Sequence, residues 1–225
     1  MDNNNSSETS LLWRDLFADN SDWRDPSRGL LLFSKTIFPS LAYDETPFFH
    51  YELYRDLLQL YNPKYRFAQE RQLQEIIFRG GSKSTISSLI FPTYIACMNG
   101  FNIKIADWDR SSETDISMNG IEVKVDEDLI IIVSETGSVA ENWIVTIRGT
   151  LSKNPFIREI FGNFKQQALR DDEGKWTRSG FAIIKDSSPI EWQRGSHLVK
   201  SIEIKFQKLP KEGSLGWKDE RLLLK

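Results

Sequence analysis

Cysteine is almost missing from this chain of 225 residues. Cys97 stands alone, and histidine occurs only at positions 50 and 197. One thiol makes no intrachain disulfide, and one thiol with two imidazoles builds no multi-ligand Cys/His metal site. An intracellular protein is the simplest expectation. Long hydrophobic runs are also missing: none approaches the roughly 18 residues of a membrane-crossing helix, so no membrane partner is expected. The opening Met-Asp-Asn-Asn-Asn-Ser-Ser is polar and acidic, unlike a signal peptide. An excess of one charge is lacking too, since the net charge is −3. Its distribution says more. Residues 152–225 carry 15 Lys and Arg against 10 Asp and Glu, whereas residues 1–151 carry 14 against 22. A basic half suits a nucleic-acid contact, but an excess this small equally suits an ordinary solvated surface.

What is present suffices for a core. Hydrophobic residues make up 40% and aromatics 12%, and the length fits one domain or one and a half. The chain is organised around Ile76-Ile77-Phe78-Arg79-Gly80-Gly81-Ser82-Lys83-Ser84-Thr85. This reads as a buried strand from Gln72 to Phe78, a tight glycine turn, and Lys-Ser-Thr opening a helix. Such a layout binds phosphate, because backbone N–H groups of the turn and the helix start converge on an anion. Lys83 would place its cation on the β- and γ-phosphates, and the Ser84 hydroxyl would hold Mg²⁺. With Lys83 as the seventh residue of the usual loop pattern, Ile77 and Ser82 stand at positions one and six, where glycine is the rule. The plainer alternative is a surface turn leading into a helix capped by Ser82.

Around this stretch the periodicities predict the following elements. Residues 1–7 are expected to be disordered, with Ser10 capping a short helix through Phe17. Gly29 to Phe38 is apolar and helical. Thr46 as N-cap and Pro47 as first helical residue open a helix carrying Phe49, Leu53, Leu57 and Leu60, ended by Asn62-Pro63. His50 rides on that helix, and a lone histidine there is more often structural than catalytic. A helix from Lys83 to Asn99 buries Ile86, Leu89, Ile90, Thr93, Tyr94 and Cys97, is kinked by Pro92 and stops at Gly100. Ile103, Ile105, Ile121, Val123 and Val125 suggest short strands around a surface excursion, with Asn119-Gly120 as a hairpin signal. Leu129 to Val133 reads as a strand covered on both faces. A helix with Ala140, Trp143, Ile144, Ile147 and Leu151 on its face follows, then a short one opened by Asn154-Pro155 and closed by Gly162. Beyond Phe164 only Phe181 to Ile184 and Ile202 to Phe206 remain as strand candidates. Strand, loop, helix, strand, helix is the alternation of an α/β fold with a mainly parallel sheet flanked by helices.

The order of these segments resembles the N-terminal ATPase domain of phage terminase large subunits, the DNA-packaging motors of tailed viruses. Four features carry the resemblance: Phe-His-Tyr-Glu-Leu at 49–53; the deviant loop from Phe78 to Thr85 with its early arginine; Ile131-Ile132-Val133-Ser134-Glu135-Thr136 with Ala140 and Ile144 to Leu151; and Asn154-Pro155-Phe156-Ile157 with Phe161-Gly162. They span about residues 46–184. The resemblance implies a P-loop fold of the kind common to NTPases, ATP and Mg²⁺ as cofactors, and ATP hydrolysis coupled to packaging. Arg79 and Lys83 would neutralise phosphate charge as catalytic residues. Gly80, Gly81, Ser82, Ser84 and Thr85 would complete the nucleotide site, with Ser84 as Mg²⁺ ligand. It also implies double-stranded DNA, a terminase small subunit and a viral portal as partners, self-assembly into a homo-oligomer, and the host cytoplasm as location. Some such motors borrow an arginine from a neighbouring subunit, for which Arg148 and Arg158 are candidates.

The chain departs from the family in three ways. The excursion at 102–128 is long. No apolar strand ending in paired acids follows Ile184. The nuclease domain that usually follows in that family is not expected within this sequence. The only apolar run ending in an acid reaches Glu135, which is either the catalytic acid or part of a Ser-x-Thr strand end. The expectation is therefore an N-terminal tail with helices (1–45), an incomplete ATPase-like domain (46–189) and an irregular C-terminal tail (190–225) from a truncation or shifted reading frame. Hydrolysis by the chain alone would be weak or absent. The alternative is a non-enzymatic interaction protein on a decayed nucleotide-binding scaffold.

Overall fold

The computed structural model describes residues 3–42, 45–65, 81–108, 116–126, 129–134, 137–166, 180–186 and 201–208. Helix α1 runs over Asn3–Ala18, so it begins well before Ser10. Ser10 does not cap it; its hydroxyl donates instead to the Glu159 carbonyl at 3.2 Å. Trp13 and Phe17 anchor its second half by packing against Phe156. The two-residue strand β1 (Asp19–Asn20) and helix α2 (Gly29–Ile37) follow. Helix α3 (Phe48–Gln59) starts one residue later than the Thr46-Pro47 pattern predicts. Pro47 keeps its fixed φ of −59° but takes ψ 145°, which leaves it outside the helix as the N-cap residue.

The helical segment 83–98 opens as α4 (Lys83–Thr85), continues as a π-helical turn (Ile86–Ile90) and ends as α5 (Phe91–Met98). The expected effect of Pro92 takes the form of that π turn. Proline has no N–H to return to the carbonyl four residues back, and its ring crowds that carbonyl. The ladder widens just before it: Phe91 N–H reaches the Ile86 carbonyl, five residues back. Thr93 Oγ1 takes the Leu89 carbonyl at 2.7 Å. The predicted buried stripe is there, but α5 is more than a stripe, because every residue from Pro92 to Met98 is buried. A helix buried all round is the core element itself. The neighbouring π turn packs on helix α6 (Gly137–Lys153), and α5 on α2 and α6. Gly100, at φ +88°, lies just past its end.

One sheet has the order β1-β2-β3, with β2 (Asn102–Trp108) and β3 (Ile116–Lys124) antiparallel and β1 parallel to β2. The apolar alternation sets the register, pairing Ile103 with Val123 and Ile105 with Ile121. Asn119-Gly120 is not the hairpin turn. It lies inside β3, where pairing slips so that Ala106 alone faces three residues. Gly120 has φ +59°, and a Cβ there would come within 2.8 Å of the Ser21 side chain and 2.9 Å of the Lys104 side chain. Glycine here serves an irregular strand and a close approach rather than a turn. The Ala106 carbonyl in this slip accepts from Gln59 Nε2 at 2.7 Å, and Asn62 holds the Gln59 amide from its other side at 2.8 Å.

The second sheet has the order β4-β7-β6-β5, built from β4 (Leu129–Ser134), β5 (Asn163–Gln166), β6 (Gly180–Asp186) and β7 (Ser201–Lys208). In it only β4 and β7 pair parallel; β6 pairs antiparallel with both β5 and β7. The α/β class stands, but the described sheets are mixed rather than mainly parallel. Parallel neighbours need a crossover, usually helical. Helices separate β4 from β7 in the chain, whereas the described residues from β5 onward are strands only. Residues 201–208, inside the segment read as an irregular tail, form the strand seated between β4 and β6. Helix α6 packs on this sheet with Ala140, Ile144, Ile147 and Leu151 buried. Helix α7 (Pro155–Phe161) is capped as its sequence predicts, since Asn154 Oδ1 accepts from the Phe156 and Ile157 N–H groups, and Gly162 follows at φ +80°. The predicted strand 72–78 lies outside the described residues.

Candidate phosphate-binding turn

Gly81 is buried, Ser82 half-buried, and Lys83 and Ser84 are exposed where the helix begins. The Ser82 carbonyl accepts the first helical bond, from Ile86 N–H at 3.0 Å. Ser82 occupies the N-cap position without capping by its side chain. Its backbone takes φ +56° and ψ 15°, the left-handed region, and among the described residues no other non-glycine has positive φ. That conformation normally favours glycine. Position 82 is also where the phosphate-loop pattern calls for glycine. Backbone strain of this kind concentrates at ligand clamps and is held only where the surroundings over-determine it.

The surroundings are α3 and α2. The His50 ring is buried, with Nε2 2.9 Å from the Gly81 carbonyl oxygen. A carbonyl only accepts, so Nε2 carries the proton and donates. Phe49 meets the imidazole edge-on, with centroids 4.5 Å apart. Ser82 and Thr85 border a cleft together with Leu31, Ser34, His50 and Tyr54. Burial pushes the Tyr54 hydroxyl up to about 12, against a partial pull downward from its hydrogen bond with Ser34. The cleft has room for about one water molecule, some 10 Å³, and opens to solvent, far below the roughly 300–1,000 Å³ of clefts that enclose small ligands.

The structure therefore brings Ser82 and Thr85 to one cleft and leaves Lys83 and Ser84 outward at the helix start. Arg79, Gly80 and Glu135 lie outside the described residues. Arg158 Nε donates to Asn163 Oδ1 at 2.8 Å, and Arg148 is half-buried on α6. No group of three or more His, Cys, Asp or Glu side chains gathers among the described residues, and no helix there is long and apolar enough to cross a membrane. Ser84 offers one exposed hydroxyl oxygen; Mg²⁺ also takes one or two carboxylates besides phosphate oxygens and water, and no metal-holding cluster of acids forms among the described residues. His50, Ser34 and Tyr54 are the neighbours that sequence reasoning missed. His50 was in view, but nothing local links it to a carbonyl 31 residues away. No protein-family model, curated protein or solved structure matches this chain.

Proposed function

We propose that this chain is a terminase-like ATP-binding domain of a viral DNA-packaging motor, with weak or no hydrolysis on its own. The observation that carries this reading is the backbone of Ser82. A serine holds a glycine-like φ of +56° at the loop's glycine position, directly before Lys83-Ser84 and a helix start. In this reading residues 79–85 cradle the triphosphate. Lys83 supplies charge at the β- and γ-phosphates, with Arg79 beside it. The Ser84 hydroxyl would hold Mg²⁺, which when bound neutralises phosphate charge. Exclusion of water from such contacts strengthens them. The proposed context follows from the four-part sequence resemblance: double-stranded DNA, a small subunit and portal as partners, a homo-oligomer, the host cytoplasm.

Titration of the chain with ATP, with and without Mg²⁺, tests the reading. Binding that Mg²⁺ strengthens and Lys83→Ala weakens supports it. Equal affinity for wild type and Lys83→Ala makes 79–85 a turn and nothing more. The small cleft favours a second reading, a non-enzymatic interaction protein on a decayed nucleotide scaffold, for which no ATP binding is expected at all.

A further inference from the structure

We infer that His50 is the positioning residue of the phosphate-binding turn: it holds the 81–82 peptide so that the Ser82 N–H is turned away from α3. This deepens, and rests on, the nucleotide-binding reading above. Two independent features meet at one peptide plane. The Gly81 carbonyl accepts from His50 Nε2 at 2.9 Å. The rotation of that same plane about the next bond is the Ser82 φ, held at +56°. In a planar trans peptide the C=O and N–H point to opposite sides. Fixing the carbonyl toward α3 therefore fixes the N–H of residue 82 toward the other side, and an anion-binding turn works by aiming its N–H groups at the ligand in advance.

Burial makes the clamp strong. Gly81 and the imidazole are both shielded from water, so a released carbonyl finds no easy replacement for its donor. The far end of α3 is tied down as well, by Gln59 on the Ala106 carbonyl. The helix thus presents His50 from a fixed rod rather than from a loop. Phe-His-Tyr-Glu-Leu at 49–53 and the Gly-Gly-Ser-Lys turn, two separate motifs in the sequence, become one device.

The test compares ATP·Mg²⁺ affinity of the wild type with His50→Gln, which keeps an amide donor at similar reach, and with two donor-free replacements, His50→Phe and His50→Leu. Thermal unfolding of each variant without nucleotide is measured alongside. Affinity of His50→Gln within about threefold of wild type, and a loss of about tenfold or more in a folded donor-free variant, is the expected result; tenfold corresponds to ~1.4 kcal/mol. Should one donor-free variant fail to fold, the other supplies the comparison. Wild-type affinity in a folded donor-free variant overturns the inference and leaves nucleotide binding intact, as does a loss in His50→Gln equal to theirs. Absence of ATP binding by the wild type removes the nucleotide reading and this inference together.

Discussion

Asn20 reaches Tyr94 across 74 residues of chain, its Nδ2 2.8 Å from the phenolic oxygen. The same amide group donates to the Ala18 carbonyl at 3.2 Å, and its Oδ1 accepts from Leu30 N–H at 2.6 Å. Tyr94 in turn donates to the Phe17 carbonyl at 2.9 Å. One buried asparagine thus caps the start of α2 from outside that helix, closes the end of α1 and locks both to the central helix α5.

Replacing Asn20 should be among the most damaging single changes in the described core. Asn20→Ala removes a cap, worth about 0.5–2 kcal/mol, and strands buried partners at about 1–3 kcal/mol. A loss of roughly 3 kcal/mol is expected in urea unfolding. Gly29→Ala should harm by another route: φ is +62°, and the new Cβ would overlap Asn20 Oδ1 and lie 2.9 Å from the Asp19 carbonyl. Unchanged midpoints for both variants would refute this account of the junction.

Alkali should unfold the protein through two tyrosines. Burial pushes Tyr54 up to about 12 and Tyr94, fully buried, higher still. Both folded values exceed the unfolded value near 10. Their stabilisation is complete below pH 10 and is lost as pH rises through the folded values. For Tyr54 the rise from about 10 to about 12 amounts to on the order of 3 kcal/mol. Denaturant midpoints between pH 8 and 11.5 should fall less steeply for Tyr54→Phe than for wild type.

Ser82 should tolerate glycine better than any branched residue. Ser82→Gly relieves a left-handed conformation while adding chain entropy, so a change between zero and about 1 kcal/mol in favour of folding is expected. Ser82→Val should cost about 1–2 kcal/mol. Ser82→Pro, locked at negative φ, should abolish ATP binding. A valine variant as stable as the glycine variant would show that the turn is not held at positive φ.

Steady-state phosphate release by the chain alone should be negligible. Phosphoryl transfer requires a metal held by an acid and an oriented water, as well as a phosphate cradle. The assay compares wild type, Lys83→Ala and Glu135→Gln. Robust turnover abolished by both substitutions would make Glu135 the catalytic acid. Turnover lost only with Lys83 would point to an acid elsewhere.

Local features of the fold were legible in the sequence where a short segment contains its own reason. Asn154 before Pro155 caps α7 because its partners are two and three residues on. The alternation of Ile103, Ile105, Ile121 and Val123 marked two short strands for the same reason, though not their pairing, because Asn119-Gly120 looks like a hairpin turn and lies inside β3. Strand direction was not legible, because β4 finds its parallel partner about 70 residues later. The role of Asn20 has no local signal, because it depends on Tyr94, far along the chain. At the site, Lys83-Ser84 at a helix start could be read directly. The hold of His50 on Gly81 could not, since it rests on how α3 packs.

The place of β7 between β4 and β6 also sets a timetable for synthesis. A growing chain that has just completed β4 must make about 74 more residues before β7 is finished, roughly 4–15 s at ~5–20 residues per second. Through that interval β4 waits with an open row of backbone donors and acceptors, and β6 joins it for about the last 22 residues; such edges are where other chains template. The nascent protein is therefore most exposed to aggregation late in translation, and the expression of this chain should depend on how soon β7 arrives or a chaperone covers the gap.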